Sequence, residues 1–352
     1  MPRFHPLPIS AVAPTGSDAV AVTFAVPEAL RDTFRFLPGQ YLTLRADVGG
    51  TDLRRSYSIC DGGPGHLTVG IKRVADGRFS TWAQNLAPGT ALEVLPPEGR
   101  FALRPGDGPE LLLIAAGSGI TPCLAIATEA LRDPARRITL LYGNRSTADV
   151  MFKREVEALK DAYPDRVQII HILSREAQDV PLFSGRIDGA RIADLVRLGL
   201  IDPERTDAAF LCGPGGMIAE VTEALAAAGM ARGAVRSERF SADGAQPMRL
   251  PPAAAPVAEG AAVDVILDGS RRSLTVDGAA HTVLSAATDA GLDLPFSCAG
   301  GMCCTCRCRV VEGSAAMDVN YALEPWEVDA GFVLACQTRP TSDRLVLDFD
   351  AA

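Results

Sequence analysis

The sequence holds four histidines, and none follows His281. Its 34 basic residues are outnumbered by 43 acidic ones, for a net charge of −9. That balance argues against a general nucleic-acid binder. No run approaches the roughly 18 apolar residues of a membrane-spanning helix, so no membrane partner is expected. The opening stretch, MPRFHPLPIS, lacks the apolar centre of a signal peptide. A disulfide framework is also a poor fit. Five of the nine cysteines crowd into eleven residues, which suits a metal centre in a reducing cytoplasm.

That crowd is the stretch around which the rest is organised. Cys298, Cys303 and Cys306, with Cys336 after a gap of 29 residues, fit Cys-x4-Cys-x2-Cys…Cys, the plant-type [2Fe–2S] spacing. Two irons and two sulfides need four thiolates. Three can come from one loop, and the fourth closes the cluster from elsewhere. Gly300 and Gly301 allow backbone amides to approach the sulfides and favour the reduced, more negative cluster. A zinc ribbon needs two paired knuckles, and Cys336 has no paired neighbour. A Rieske centre needs two histidines, which this region lacks. Cys304 and Cys308 fall off the spacing and read as small residues filling the loop and the strand after it.

A length of 352 residues with 47% hydrophobic content predicts two or three domains with buried cores. Residues 1–105 read as short strands between Gly/Pro turns, over Ala19–Val26, Gln40–Arg45 and His66–Arg73. That pattern predicts a small antiparallel β-barrel. Within it, Arg54-Arg55-Ser56-Tyr57-Ser58 offers a guanidinium, an aromatic face and hydroxyls from one strand. Gly77-Arg78-Phe79-Ser80-Thr81-Trp82 reads as the capped start of a short helix, a seat for an anion. A half-buried strand and an ordinary capped helix would look alike, so neither decides alone.

Residues 106–240 alternate strands and helices, an α/β domain. Strand Glu110–Ala116 runs into Gly117-Ser-Gly119-Ile-Thr121-Pro122 and a helix over Cys123–Leu131, a setting in which amides cradle a pyrophosphate. Pro122 replaces the third glycine of the strict dinucleotide fingerprint. Further strands are expected at Ile138–Tyr142, Val167–Leu173 and Asp207–Cys212. Helices are expected at Val150–Ala162, Ala190–Leu198 and Ile218–Ala228, the last after Gly213-Pro214-Gly-Gly-Met217. Arg145 and Ser174-Arg175 follow strand ends, where cationic forks suit an extra phosphate, although surface arginines would look the same. A lone strand-end thiol such as Cys212 is more often packing than chemistry. Residues 241–262 are Ala/Pro-rich and read as a linker, able to span about 60–70 Å if extended. Residues 263–352 predict a compact α+β module with a hairpin at Asp268-Gly269, a helix over Thr282–Ala290 and a last strand over Leu345–Phe349.

Taken together, residues 1–240 resemble a ferredoxin-NADP⁺ reductase module. The resemblance rests on Arg55-x-Tyr57-Ser58, the 77–82 loop, Gly117-x-Gly-x-Thr-Pro122, Cys212-Gly-Pro and Glu238-x-Phe240. Residues 263–352 resemble a plant-type ferredoxin, which implies a β-grasp fold. The order resembles the reductase components of bacterial oxygenases, in particular the phenylacetyl-CoA epoxidase type. Phe4-His-Pro-Leu, Arg54 to Cys60, Met317 to Leu323 and Val346 to Asp350 carry that likeness.

The resemblance implies FAD held by Arg55, Tyr57 and Ser58, with Lys72, Gly77, Phe79, Ser80 and Thr81 along its phosphates. It implies a nicotinamide dinucleotide along Gly117, Gly119, Thr121, Cys212, Gly213, Pro214 and Met217. Ser174-Arg175 matches a pair that takes a 2′-phosphate, which favours NADPH. Glu238 and Phe240 match residues beside the flavin ring. Ser58, Cys212 and Glu238 are the expected catalytic side chains, with Ser58 relaying at the flavin N5 and Glu238 orienting the nicotinamide. The implied activity passes electrons from NADPH through FAD and [2Fe–2S] to a di-iron oxygenase of phenylacetyl-CoA. Two other readings remain: a reductase for another oxygenase, such as a ring hydroxylase, and a redox-sensing binding protein.

Overall fold

The computed structural model describes residues 3–240 and 260–351. All but the last three residues of the expected linker, 241–262, lie outside the described residues. The chain divides into two compact units, one over Phe4–Gly244 and one built from Ala245 onward.

The first unit opens with a closed barrel. Its strands are β1 (His5–Pro14), β2 (Ala19–Ala25), β3 (Tyr41–Asp47), β4 (Asp52–Gly63), β5 (His66–Lys72) and β6 (Ala91–Val94), in the order β1-β2-β5-β4-β3-β6. The inward positions Leu7, Val22, Phe24, Leu44, Ile59, Leu67 and Ile71 are fully buried. Helix α1 (Arg78–Trp82) closes one end by inserting Phe79 into that core.

A five-stranded parallel sheet follows: β7 (Glu110–Ala116), β8 (Arg137–Asn144), β9 (Val167–Leu173), β10 (Ala208–Cys212) and β11 (Val235–Glu238), ordered β11-β10-β7-β8-β9. The strand order reverses between β7 and β10, so the crevice at their C-terminal ends is the place for a ligand. The connecting helices are α2 (Ile120–Ala130), α3 (Lys153–Ala162), α4 (Gly189–Arg197) and α5 (Gly215–Ala227). Helix α2 packs on β4, and Cys60 and Phe101 join Ile120, Cys123, Phe210 and Cys212 in one apolar cluster. At the same seam Asp107, 5% exposed, is gripped by Arg236, which also donates to Ala102 O.

Several boundaries differ from expectation for identifiable reasons. Helix α2 begins at Ile120 rather than Cys123, because Pro122 is tolerated in a first turn. Helix α5 begins at Gly215 rather than Ile218, after Pro214 with φ −58°. Helix α3 begins only at Lys153, not Val150. Val150, Met151 and Phe152 are instead drawn into the core, Phe152 in a left-handed conformation with its N–H donated to Thr15 Oγ1 at 2.6 Å. The edge strand β11 has no counterpart among the expected strands.

The second unit has a five-stranded sheet: β12 (Ala261–Leu267), β13 (Ser270–Val276), β14 (Arg307–Glu312), β16 (Phe332–Leu334) and β18 (Arg344–Asp348), ordered β13-β12-β18-β14-β16. Only the β12–β18 pair is parallel. The short strands β15 (Ala315–Met317) and β17 (Thr338–Pro340) pair separately. Helix α6 (Val283–Asp289) is capped by Thr282 and stopped by Gly291 at φ +73°, close to the expected bounds. Helix α7 (Pro325–Asp329) packs on β16. Val263, Val265, Val276, Leu345 and Leu347 alternate inward and make the core.

Candidate functional site

The cleft at the C-terminal ends of β7, β8 and β10 encloses about 800 Å³. Lys72, Gly117, Arg145, Arg175, Gly213 and Met217 line it, as do Ser174, Pro214 and Phe240, all of them expected at a cofactor. Gly117 takes φ +55°, where glycine is favoured, and a Cβ on it would come to 3.6 Å from Lys72 Nζ. Burial around Lys72 lowers its pKa, so its charge is held at a cost that an anion in the cleft relieves. The loops after β8 and β9 are stitched together. Ser174 N and Oγ donate to Asn144 O, Arg175 N donates to Arg145 O at 2.7 Å, and Glu176 takes both the N–H and the hydroxyl of Thr147.

Arg145 and Arg175 are exposed and form no ion pair among the described residues, and Arg186 on the same cleft is like them. Arg186 is not among the residues expected from the sequence. Its only sequence signal is Gly185, at φ +108°, which turns the chain just ahead of α4.

Three expected dinucleotide contacts are placed elsewhere. Gly119 is buried, and a Cβ there would meet Cys212 O at 2.0 Å, so this glycine serves the close approach of α2 to β10. Thr121, 1% exposed, donates to Ser118 O at 2.9 Å inside the first turn. Cys212 is fully buried in the apolar cluster, and burial pushes its thiol well above the ordinary range. In this structure the thiol packs in that cluster and is not among the residues lining the cleft.

On the barrel side, β4 presents Arg55 exposed, Tyr57 half-buried and Ser58 buried. The Tyr57 ring lies 5.8 Å from that of Phe79. Ser58 Oγ donates to Glu238 Oε2 at 3.0 Å, joining barrel and sheet across 180 residues. Glu238 stands in register with Cys212 at the end of β11. Burial pushes its carboxyl up to about 8, partly offset by the Ser58 hydrogen bond.

The 77–82 loop is built differently from expectation. Gly77 holds the N-cap position, and Ser80 and Thr81 lie inside α1. The Ser80 hydroxyl accepts from Val74 N and donates to Gly77 O, so it ties the loop rather than capping for a ligand. Phe79, 2% exposed, belongs to the barrel core. Thr81 is exposed, and Phe240 is 45% exposed at the cleft.

In the second unit the four expected thiols fall into two pairs. Cys298 and Cys303 are in hydrogen-bond contact, as are Cys306 and Cys336. Gly300 N and Met302 N donate to Cys298 Sγ at 3.3 and 3.4 Å. The Cys303 contact and these amides pull the Cys298 thiol down to about 5. The Cys336 thiol is also lowered, chiefly by Cys306 and then by the Gln337 amide. The loop needs left-handed backbone at Ala299, Gly301 and Cys304 to wrap this way. Two thiolates for each of two irons is what a [2Fe–2S] cluster requires, whereas structural zinc needs four ligands around one ion. The residues therefore fit the cluster. Cys308 is fully buried against the core and Cys304 is half-buried beside it, as a filling role requires.

Three family models match the chain in succession. An oxidoreductase FAD-binding domain family matches residues 6–103, an oxidoreductase NAD-binding domain family 113–223, and a 2Fe-2S iron-sulfur cluster binding domain family 265–341. The chain is 42% identical to one of the subunits of the 1,2-phenylacetyl-CoA epoxidase of Escherichia coli, over 100% of this chain and 99% of that one. It is 36% identical to the ferredoxin reductase component of 3-ketosteroid-9-alpha-monooxygenase of Rhodococcus rhodochrous, over 97% and 96% of the two chains. The solved structure of phthalate dioxygenase reductase has the same fold, with a TM-score of 0.59 at 22% identity over 98% of each chain. Among the described residues no helix is long and apolar enough to cross a membrane. The chain belongs to the family of reductases that join FAD-binding, NAD-binding and [2Fe–2S] domains in one polypeptide and act as reductase components of oxygenases.

Proposed function

We propose that this protein is the cytoplasmic reductase that draws electrons from NADPH and delivers them to the oxygenase component of a phenylacetyl-CoA epoxidase system. The observation that carries the reading is the two-by-two pairing of four thiols in a chain that also builds a cationic dinucleotide cleft. The domain division proposed is 1–105 for FAD, 106–240 for the dinucleotide, 241–262 for the linker and 263–352 for the cluster. When bound, FAD takes a hydride as an electron pair and the cluster accepts electrons one at a time.

The chain's own residues bind and orient. Arg55 supplies a guanidinium to the FAD phosphates, and Tyr57 an aromatic face to its ring. The amides at the start of α1, behind the N-cap Gly77, face the same anion. Lys72, Gly117, Gly213, Pro214 and Met217 form the wall for the dinucleotide. Ser174 and Arg175 take the 2′-phosphate, with Arg145 and Arg186 beside them. Ser58 and Glu238 share a proton-bearing hydrogen bond at the flavin side of the cleft and hold the nicotinamide end in place. Phe240 covers that end. Cys298, Cys303, Cys306 and Cys336 hold the two irons.

Anaerobic stopped-flow mixing with NADPH tests the sequence of events. Flavin absorbance should bleach first and cluster absorbance second. A cluster that stays oxidised while the flavin is reduced would sink the proposal. The 36% identity to a steroid monooxygenase reductase component favours one rival, service to a different oxygenase. Reconstituted turnover with each oxygenase separates the two.

A further inference from the structure

Glu327 is fully buried, which is rare for a carboxylate unless it is paired. Its Oε1 lies 2.8 Å from Arg307 Nε, and its Oε2 accepts from Glu324 N at 2.9 Å. Arg307 is itself 17% exposed. Its guanidinium sits over the Phe332 ring, 3.6 Å from the centroid, so the cation is plated on one side and bridged on another.

The location is what gives the pair a role beyond stability. Arg307 is the residue after Cys306, opens β14, and stands in register with Leu334, two residues before Cys336. Ala335 N donates to Cys306 O at 3.0 Å, so the segments bearing these two thiols are hydrogen-bonded directly beside the pair. The cation lies on the strand next to a thiol, and the anion on α7, which packs on β16. Arg307 is largely and Glu327 fully covered, so their charges are weakly screened by solvent.

We propose that the Arg307–Glu327 pair is a positioning clamp that also sets the reduction potential of the centre held by Cys306 and Cys336. This rests on reading the four thiols as ligands of a [2Fe–2S] cluster. Reduction adds one negative charge to such a centre. A fixed neighbouring cation favours that charge and a fixed anion opposes it. With both present the effects largely cancel, and the potential is insulated from the cation. Removing the anion alone leaves Arg307 uncompensated, and reduction becomes easier.

The test uses the full-length holoprotein and a redox titration followed by the electron paramagnetic resonance amplitude of the reduced cluster, with iron and sulfide assayed in parallel. Glu327→Gln should raise the midpoint potential at unchanged iron and sulfide. Glu327→Gln combined with Arg307→Gln should return it toward the starting value. Arg307→Lys, which keeps the charge, should leave it in place. A Glu327→Gln protein with full iron and sulfide but an unmoved or lowered potential overturns the proposal, since a purely structural pair would not move the potential. So does a double variant that shifts as far as the single one. If Glu327→Gln loses its iron, Glu327→Met, which also removes the charge at similar volume, should show the same upward shift, and no upward shift there also overturns it. Absence of iron and sulfide from the wild-type protein would instead defeat the ligand reading on which the inference rests.

Discussion

In the dinucleotide cleft, Arg145, Arg175 and Arg186 stand exposed in the surrounding loops and form no ion pair among the described residues. In the thiol-bearing module, Arg307 is largely covered, stacked on Phe332 and neutralised by the buried Glu327. The difference follows from how long each site keeps its occupant. A visiting polyanion must find cations that are hydrated and unpaired, because breaking an existing ion pair would cancel the gain on binding. A resident centre needs fixed charges, and charges fixed against a core must be compensated. The first site therefore works through the differential affinity of loose groups, the second through geometry set when the chain folds.

The comparison is broken most completely at Cys336. Replacing it with serine removes one of two thiolates from the Cys306/Cys336 pair. Iron and sulfide content should fall toward zero and electron transfer to any acceptor protein should vanish. Reduction of FAD by NADPH should continue at its former rate, because the cleft and β4 belong to the other compact unit. Loss of flavin reduction in Cys336→Ser, measured by stopped-flow, would mean that the two sites are not separable in this way.

How far each site can be read from the chain follows the same division. The Cys-x4-Cys-x2-Cys spacing is local, so three ligands are visible in one loop and only Cys336 has to be matched from afar. The parallel sheet is equally visible, since Glu110–Ala116 and Val167–Leu173 are apolar runs. Glu327 is not legible as a buried residue. A glutamate within Glu-Pro-Trp-Glu reads as solvent-facing, and its partner Arg307 lies twenty residues earlier. Strand β11 escapes notice because Val-Arg-Ser-Glu has neither an apolar run nor alternation, and tertiary pairing with β10 alone makes it a strand. Cys212 is ambiguous because a strand-end thiol looks the same in sequence whether it faces the cleft or the core. Ser80 is ambiguous because a serine near a helix start fits both a cap and a first-turn tie, and here it lies three residues past the N-cap Gly77.

A smaller break is made in the cleft. Arg175→Ala removes one guanidinium from a set of neighbouring cations, so binding should weaken but persist. A charge-assisted hydrogen bond contributes about 1.5–3 kcal/mol, which is roughly a ten- to hundredfold change. The Michaelis constant for NADPH should rise by about that factor, while that for NADH, which lacks the 2′-phosphate, should move only a few-fold. Added salt should also weaken NADPH binding more in the wild-type protein than in the variant. Equal effects on both nucleotides would remove Arg175 from the 2′-phosphate.

The smallest effect sharpens the comparison from inside the first unit. Glu238 is its exception, a carboxyl that burial pushes up to about 8 with only the Ser58 hydroxyl holding it down. The unfolded chain releases this proton near pH 4.5, and the folded chain keeps it until about 8. Between those values the unfolded state binds fewer protons, so raising the pH destabilises the fold. The contribution is fully present below about pH 4.5 and is lost as the pH rises through 8. Glu238→Gln cannot release a proton and should therefore lose less stability than the wild type between pH 5 and pH 8. The difference should be of the order of a few degrees in melting temperature. Parallel melting curves for the two proteins across that range would mean that the carboxyl is ionised at neutral pH, and the pairing with Ser58 would then be an anion accepting a hydrogen bond, the same arrangement as the loop carboxylate Glu176 with Thr147.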